Sequence, residues 1–151
     1  MQQQFLQRAL ELAKQAEVCG EVPVGAVVVL NDDIIGEGYN QLISGVDPTA
    51  HAEIIAIRGA AKQLDNYRLV DCDLYVTLEP CAMCAGAMIH ARINHCYFGA
   101  YDPKSSAATV FESNLSDKLN HRVQCQGGIL EHECSSLLKQ FFKAKREGVL
   151  K

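Results

Sequence analysis

The sequence has no long apolar run, no low-complexity linker and no internal repeat. The stretch Val22–Leu30, free of polar side chains, is nine residues and is interrupted by Pro23 and Gly25. A membrane span needs roughly 20 such residues, so no transmembrane helix is expected. The N-terminal MQQQFLQRALELAKQAE carries charges throughout and has no apolar core. A secretory signal is therefore not expected, and the expected compartment is the cytoplasm. An excess of positive charge is also missing. Fourteen Lys and Arg stand against 18 Asp and Glu, a net charge of −4, which excludes a protein that coats nucleic acid by bulk electrostatics. The seven cysteines are an odd number in an expected reducing compartment, which argues against a disulfide framework and for metal binding or burial.

With 151 residues, 48% hydrophobic and 21% charged, residues 1–151 are the usual size of one domain with a real core. Phe5, Leu6, Ala9, Leu12, Ala13 and Ala16 recur at helical spacing, predicting a helix over 4–18. Val24–Leu30 and Ile34–Tyr39 predict strands of a hairpin turned by Asn31-Asp32-Asp33. Asp47-Pro48-Thr49 marks a helix start near Thr49, with the helix running to Leu64. Leu74–Leu78 predicts a strand leading through Glu79-Pro80 into a helix over Cys81–Ala91. Cys96–Ala100 is a further expected strand, Tyr101–His121 a loop with weak helical signals, and Arg122–Cys125 a last short strand. Ile129–Glu147 predicts a helix with Leu130, Leu137, Leu138 and Phe141 on one side. An initial hairpin followed by alternating strands and helices predicts an α/β layered domain with a mixed sheet.

The chemistry is concentrated in His51-Ala52-Glu53 and Pro80-Cys81-Ala82-Met83-Cys84. Cys81 and Cys84 at i and i+3 share one helix face. Pro80 suits a first helical turn, whose positive end favours the thiolates that zinc requires. Two thiolates and the His51 imidazole give three protein ligands; zinc prefers four, and the open position marks a catalytic site. Glu53, two positions from a ligand, is placed to take a proton from water and return it to substrate. Cys-x-x-Cys alone also fits a redox pair, a structural zinc knuckle or two buried thiols. His-x-Glu together with Pro-Cys-x-x-Cys is the signature of zinc nucleobase deaminases. The other cysteines (19, 72, 96, 125 and 134) are expected to be small core residues. His90, His95, His121 and His132 remain open as a fourth ligand.

Over nearly its whole length the chain resembles bacterial tRNA-specific adenosine deaminases. The shared text includes EVPVGAVVV (Glu21–Val29), GEGYN (Gly36–Asn40), DPTAHAEI (Asp47–Ile54), NYRLVDCDLYVTLEPCAMCAGAMIHARI (Asn66–Ile93), FGAYDPKS (Phe98–Ser105), NHRV (Asn120–Val123) and FFKAKR (Phe141–Arg146). The resemblance implies a three-layer α/β/α cytidine-deaminase-like fold with a central mixed five-stranded sheet. It also implies one Zn2+ per subunit, a homodimer, and a tRNA anticodon stem-loop as substrate, whose wobble adenosine becomes inosine. Under it His51, Cys81 and Cys84 are the ligands and Glu53 the proton shuttle. Asn40 resembles the amide that holds the adenine; from residue type alone it is a turn residue closing a strand. Asp102 lies in a loop resembling the RNA-contacting region, and a turn aspartate before Pro103 is its alternative.

The C-terminal segment departs from the acidic body. Lys139, Lys143, Lys145, Arg146 and Lys151 face a single anion, Glu147, which matches a nucleic-acid contact or a solvated helix end. At 100° per residue Lys139, Lys143 and Arg146 lie nearly opposite Leu137, Leu138, Phe141 and Ala144, with Phe142 at the boundary. Phe142, Lys143 and Arg146 are therefore candidate RNA contacts, on a basic helix expected over about 130–147. Two rival functions remain. A deaminase of a free base or nucleoside would use the same four residues and need no basic aromatic tail. A structural zinc module that only binds RNA would need a fourth protein ligand and leave Glu53 without a task.

Overall fold

The computed structural model describes residues 1–104 and 120–148. Strand β1 (Gly25–Leu30) is buried on both faces along most of its length, as its unbroken GAVVVL text requires of a central strand. It pairs antiparallel with β2 (Asp33–Tyr39) on one side and β3 (Asp73–Leu78) on the other. Strands β4 (His95–Ala100) and β5 (Gln124–Gln126) extend the sheet in parallel from β3. The result is the expected mixed five-stranded sheet, in the order β2-β1-β3-β4-β5.

Alternation along the strands divides the core in two. Val27, Val29 and Tyr75 face helix α1 (Gln2–Val18), which buries Phe5, Leu6, Leu10 and Leu12 against them. Cys134 of helix α4 (Glu131–Arg146) joins this layer. Ala26, Val28, Leu74, Val76 and Phe98 face the opposite layer, made by α2 (Ala52–Leu64) and α3 (Ala82–Ala91). Helix α2 lies unusually close to β2. A Cβ on Gly36 would come within 2.3 Å of the Ala56 carbonyl oxygen, and one on Gly38 within 2.4 Å of that of Ala52. No side chain fits there, so the two glycines of GEGYN fix where the start of α2 sits.

Several expected boundaries shift for local reasons. The hairpin turn has two residues rather than three. Asn31 and Asp32 take φ of 51° and 66°, a two-residue left-handed turn, and Asp33 already pairs with Leu30. Helix α2 starts after His51 rather than near Thr49, because Asp47 Oδ1 accepts both the backbone N–H and the hydroxyl of Thr49 and keeps that segment a turn. Pro80 precedes the cap of α3 instead of occupying its first turn; Cys81 is the N-cap. The last strand falls at 124–126 and the final helix at 131–146. Of the loop expected over 101–121, residues 105–119 lie outside the described residues. Cys72, Cys96 and Cys134 are buried as expected, but Cys19 and Cys125 are exposed. Cys19 follows the end of α1, and Cys125 lies on the edge strand.

Candidate metal centre and active site

His51 and Cys81 occupy equivalent places, each in extended backbone as the N-cap of its helix, α2 and α3 respectively. Two helix N-termini thus converge, and both favour negative charge between them. Nδ1 of His51 lies 3.5 Å from Sγ of Cys81 and 3.5 Å from Sγ of Cys84. Tetrahedral zinc with Zn–S of about 2.3 Å and Zn–N of about 2.0–2.1 Å sets ligand atoms about 3.6 Å apart. The three residues therefore fit zinc as they stand. They are the metal-ligand cluster found among the described residues, and none of the other histidines joins it. His95 pairs with Asp73 at 2.9 Å, and His121 Nε2 meets the Ile93 carbonyl at 2.7 Å.

The electrostatics suit a divalent cation. Hydrogen bonds from Cys84 and His51 push the Cys81 thiol down to about 3. Its hydrogen bond to that thiolate, together with burial, holds the Cys84 thiol well above the ordinary range. The contact with Cys81 also raises the His51 imidazole. Zinc binding must displace the proton that remains on Cys84. Glu53, in the first turn of α2, is 4% exposed, and burial pushes its carboxyl up to about 7.

The site opens into a cavity of about 640 Å³. His51, Glu53 and Cys81 line it at the C-terminal ends of the parallel strands β3 and β4, together with Asn40, Asp102 and Phe142. Asn40 is tied in place: its Oδ1 accepts the Ala52 N–H at 2.9 Å and its Nδ2 donates to the Val22 carbonyl at 3.1 Å. It thereby caps the helix that presents His51. Among the cations of α4, Lys139 and Lys145 reach this cavity, and Arg146 lines an adjoining depression with Lys104 and Lys139. Lys143 lines neither. Both rings of the Phe141–Phe142 pair line the cavity, but Phe142 is 41% exposed while Phe141 is 2% exposed. Two buried carboxylates at the cavity, Glu21 and Glu79, are additions to the site residues that the sequence suggests. Their sequence signal is slight: each is a lone acid beside an apolar strand.

A His–Cys–Cys cluster that fits zinc, beside a buried glutamate on a cavity, is the arrangement of a zinc-dependent deaminase, and residues 1–100 match the family of the cytidine and deoxycytidylate deaminase zinc-binding region. Within that class the chain belongs to the family of tRNA-specific adenosine deaminases. It is 52% identical over 149 residues to the tRNA-specific adenosine deaminase of Haemophilus influenzae, covering 96% of this chain and 85% of that one. The Bacillus subtilis enzyme of the same name is 41% identical over 144 residues, covering 95% and 89%. A solved structure from a study of A-to-I editing by tRNA:A34 deaminases superposes with a TM-score of 0.82 at 42% identity, covering 89% of this chain and 99% of that one.

Proposed function

We propose that this protein hydrolytically deaminates adenosine to inosine at the wobble position of a tRNA anticodon. The observation that carries the reading is Glu53, buried in the wall of the cavity that His51 and Cys81 of the His51–Cys81–Cys84 cluster also line. Zinc, when bound, supplies the Lewis acidity that makes water a nucleophile near neutral pH. Glu53 holds and moves the protons: its carboxylate takes one from the attacking water and gives it to the adenine ring, then carries the second from the resulting hydroxyl to the amine, which leaves as ammonia. Burial raises its carboxyl and a nearby cation lowers it, which keeps it able to act in both directions. Asn40, fixed by Ala52 and Val22, presents its remaining amide capacity to the base. Mixing the protein with an anticodon stem-loop is expected to release one ammonia per inosine formed.

Phe142 and the cations beside it suit an unpaired anticodon base and its phosphates. Phe142→Ala is expected to cost ~1–3 kcal/mol of RNA affinity with little loss of folding stability. Loss of ~3–5 kcal/mol of stability with unchanged affinity would instead make it a core residue. Replacing Lys139 and Lys145 with Gln is expected to flatten the salt dependence of binding by up to ~0.7 for each phosphate no longer neutralised. Arg146→Gln is expected to add to this, and Lys143→Gln to change it least.

Asp102 accepts the Lys104 N–H at 2.9 Å, as in its alternative role of a turn aspartate, and a carboxylate retains further acceptor capacity for the expected RNA contact. Facing RNA, it would accept a ribose 2′-OH, the donor that DNA lacks. Asp102→Asn is therefore expected to narrow the preference for RNA over DNA, measured as the ratio of deamination rates on matched stem-loops. An unchanged ratio leaves Asp102 with the turn role alone.

The homodimer finds its support in α3. Its AMCAGAMIHA sequence is apolar nearly all round, yet Ala82 and Met83 are exposed and Gly86 and Ala87 half-buried. A helix of that composition is normally covered, and a second copy is the proposed cover. Light scattering is expected to give twice the chain mass, reduced toward monomer by Met83→Glu. We take residues 1–151 as one domain carrying these functions. No helix among the described residues is long and apolar enough to cross a membrane. The cytoplasm is the proposed compartment, where thiol ligands stay reduced.

A further inference from the structure

The cavity mouth is formed by two loops that are held from beneath. Glu79 follows the last residue of β3, and its backbone N–H reaches the Ala100 carbonyl at the end of β4. Its Oε1 accepts the Asp102 N–H at 3.0 Å, which fixes the Tyr101–Lys104 turn where it leaves the strand. Across the cavity, Glu21 is 2% exposed. Its Oε2 accepts the N–H groups of Ile43 at 3.0 Å and Ser44 at 2.8 Å. That segment is a single turn closed by the Gly45 N–H donating to the Gln41 carbonyl. Its first N–H groups have no helix behind them to satisfy them, and Glu21 takes that part. Both carboxylates, and Leu42, Ile43, Tyr101 and Lys104 from the loops they hold, line the same cavity.

Burying a carboxylate is costly unless it is hydrogen-bonded, and a lone acid on a loop would ordinarily turn to solvent. Here each is withdrawn under the surface and spends its acceptors on backbone N–H groups of a rim loop. These are charge-assisted bonds, the stronger kind. We infer that Glu21 and Glu79 are positioning residues that set the cavity mouth by pinning the Gln41–Val46 and Tyr101–Lys104 loops, so that the substrate nucleotide meets a preformed rim. The assignment to substrate positioning rests on the proposed deamination; the pinning itself does not.

Amide hydrogen exchange on the zinc-loaded protein tests the pinning directly. In Glu79→Ala, amides of residues 101–104 are expected to exchange roughly 10–100-fold faster, with residues 41–46 unchanged. Glu21→Ala is expected to give the reverse pattern. Both variants should keep one zinc per chain and raise KM for an anticodon stem-loop roughly tenfold or more, with a smaller change in kcat. Glu79→Gln retains an acceptor oxygen but not the charge, and is expected to fall between wild type and Glu79→Ala in exchange and KM. It also carries the test if the Ala variant fails to fold. Unchanged exchange in the pinned loop of a folded variant, acceleration spread over the whole sheet, or exchange at 101–104 no slower in Glu79→Gln than in Glu79→Ala would each overturn the pinning. Correct exchange patterns with unchanged KM would overturn the positioning role. Wild-type protein inactive on RNA would instead reject the deamination reading while the exchange result stood.

Discussion

Glu53→Gln is expected to keep one zinc per subunit and to lose at least ~10²-fold in turnover, the contribution expected of a general acid–base group. The side chain has nearly the same shape, so the tightly packed start of α2 and its approach to Gly38 are not disturbed. Gln also has hydrogen-bonding capacity for its buried place. What it lacks is a proton that can leave and return. Without metal, burial pushes the Glu53 carboxyl up to about 7, toward the range in which a group both takes and gives a proton. Metal analysis beside a single-turnover rate separates the two possibilities. Retained zinc with a collapsed rate fits a shuttle, and near-normal turnover would remove Glu53 from the mechanism.

Loss of a ligand is expected to remove metal and activity together. Cys81→Ala or His51→Ala leaves two protein ligands where zinc needs three and an open position. Purified variants should therefore contain far less than one zinc per chain. The wild-type site carries a pH dependence of known sign. The Cys84 thiol is held above its ordinary range and the His51 imidazole is raised, so the metal-free protein binds protons that the metal must displace. Zinc affinity is then expected to rise with pH, by about tenfold per pH unit for each proton released. Competition with a chromophoric chelator between pH 6 and 8 measures the slope. A flat profile would mean that both thiols are already ionised and the His51 imidazole already neutral without metal.

The parts of this site that are legible in the sequence are those written as spacing. His-x-Glu and Cys-x-x-Cys place their side chains by local geometry, so the His51–Cys81–Cys84 cluster can be read before the fold. The helical period of α1 and the unbroken apolar text of β1 are legible for the same reason. What escapes the sequence depends on contacts between distant segments. Glu21 and Glu79 reach backbone N–H groups more than 20 residues away, and backbone donors leave no residue pattern. Along α4 the helical angle puts Phe142 at the edge of the apolar face, where the structure has it. The cavity lies along that edge, so the cations that reach it are Lys139 and Lys145, three positions either side of Phe142. Charge alone groups Lys143 with them, and nothing in the sequence marks which flank of the helix meets the mouth. The start of α2 differs from expectation because Pro48 reads as a helix start, whereas Asp47 commits that stretch to a turn through Thr49.

The most direct measurement is inosine formation and ammonia release from an adenosine-containing anticodon stem-loop, run beside free adenosine, cytidine, cytosine and guanine, with Glu53→Gln as control. Wobble deamination predicts stoichiometric inosine and ammonia from the stem-loop, little from the free compounds, and none above background from Glu53→Gln. Preferential deamination of a free base or nucleoside, with the stem-loop untouched, would contradict it.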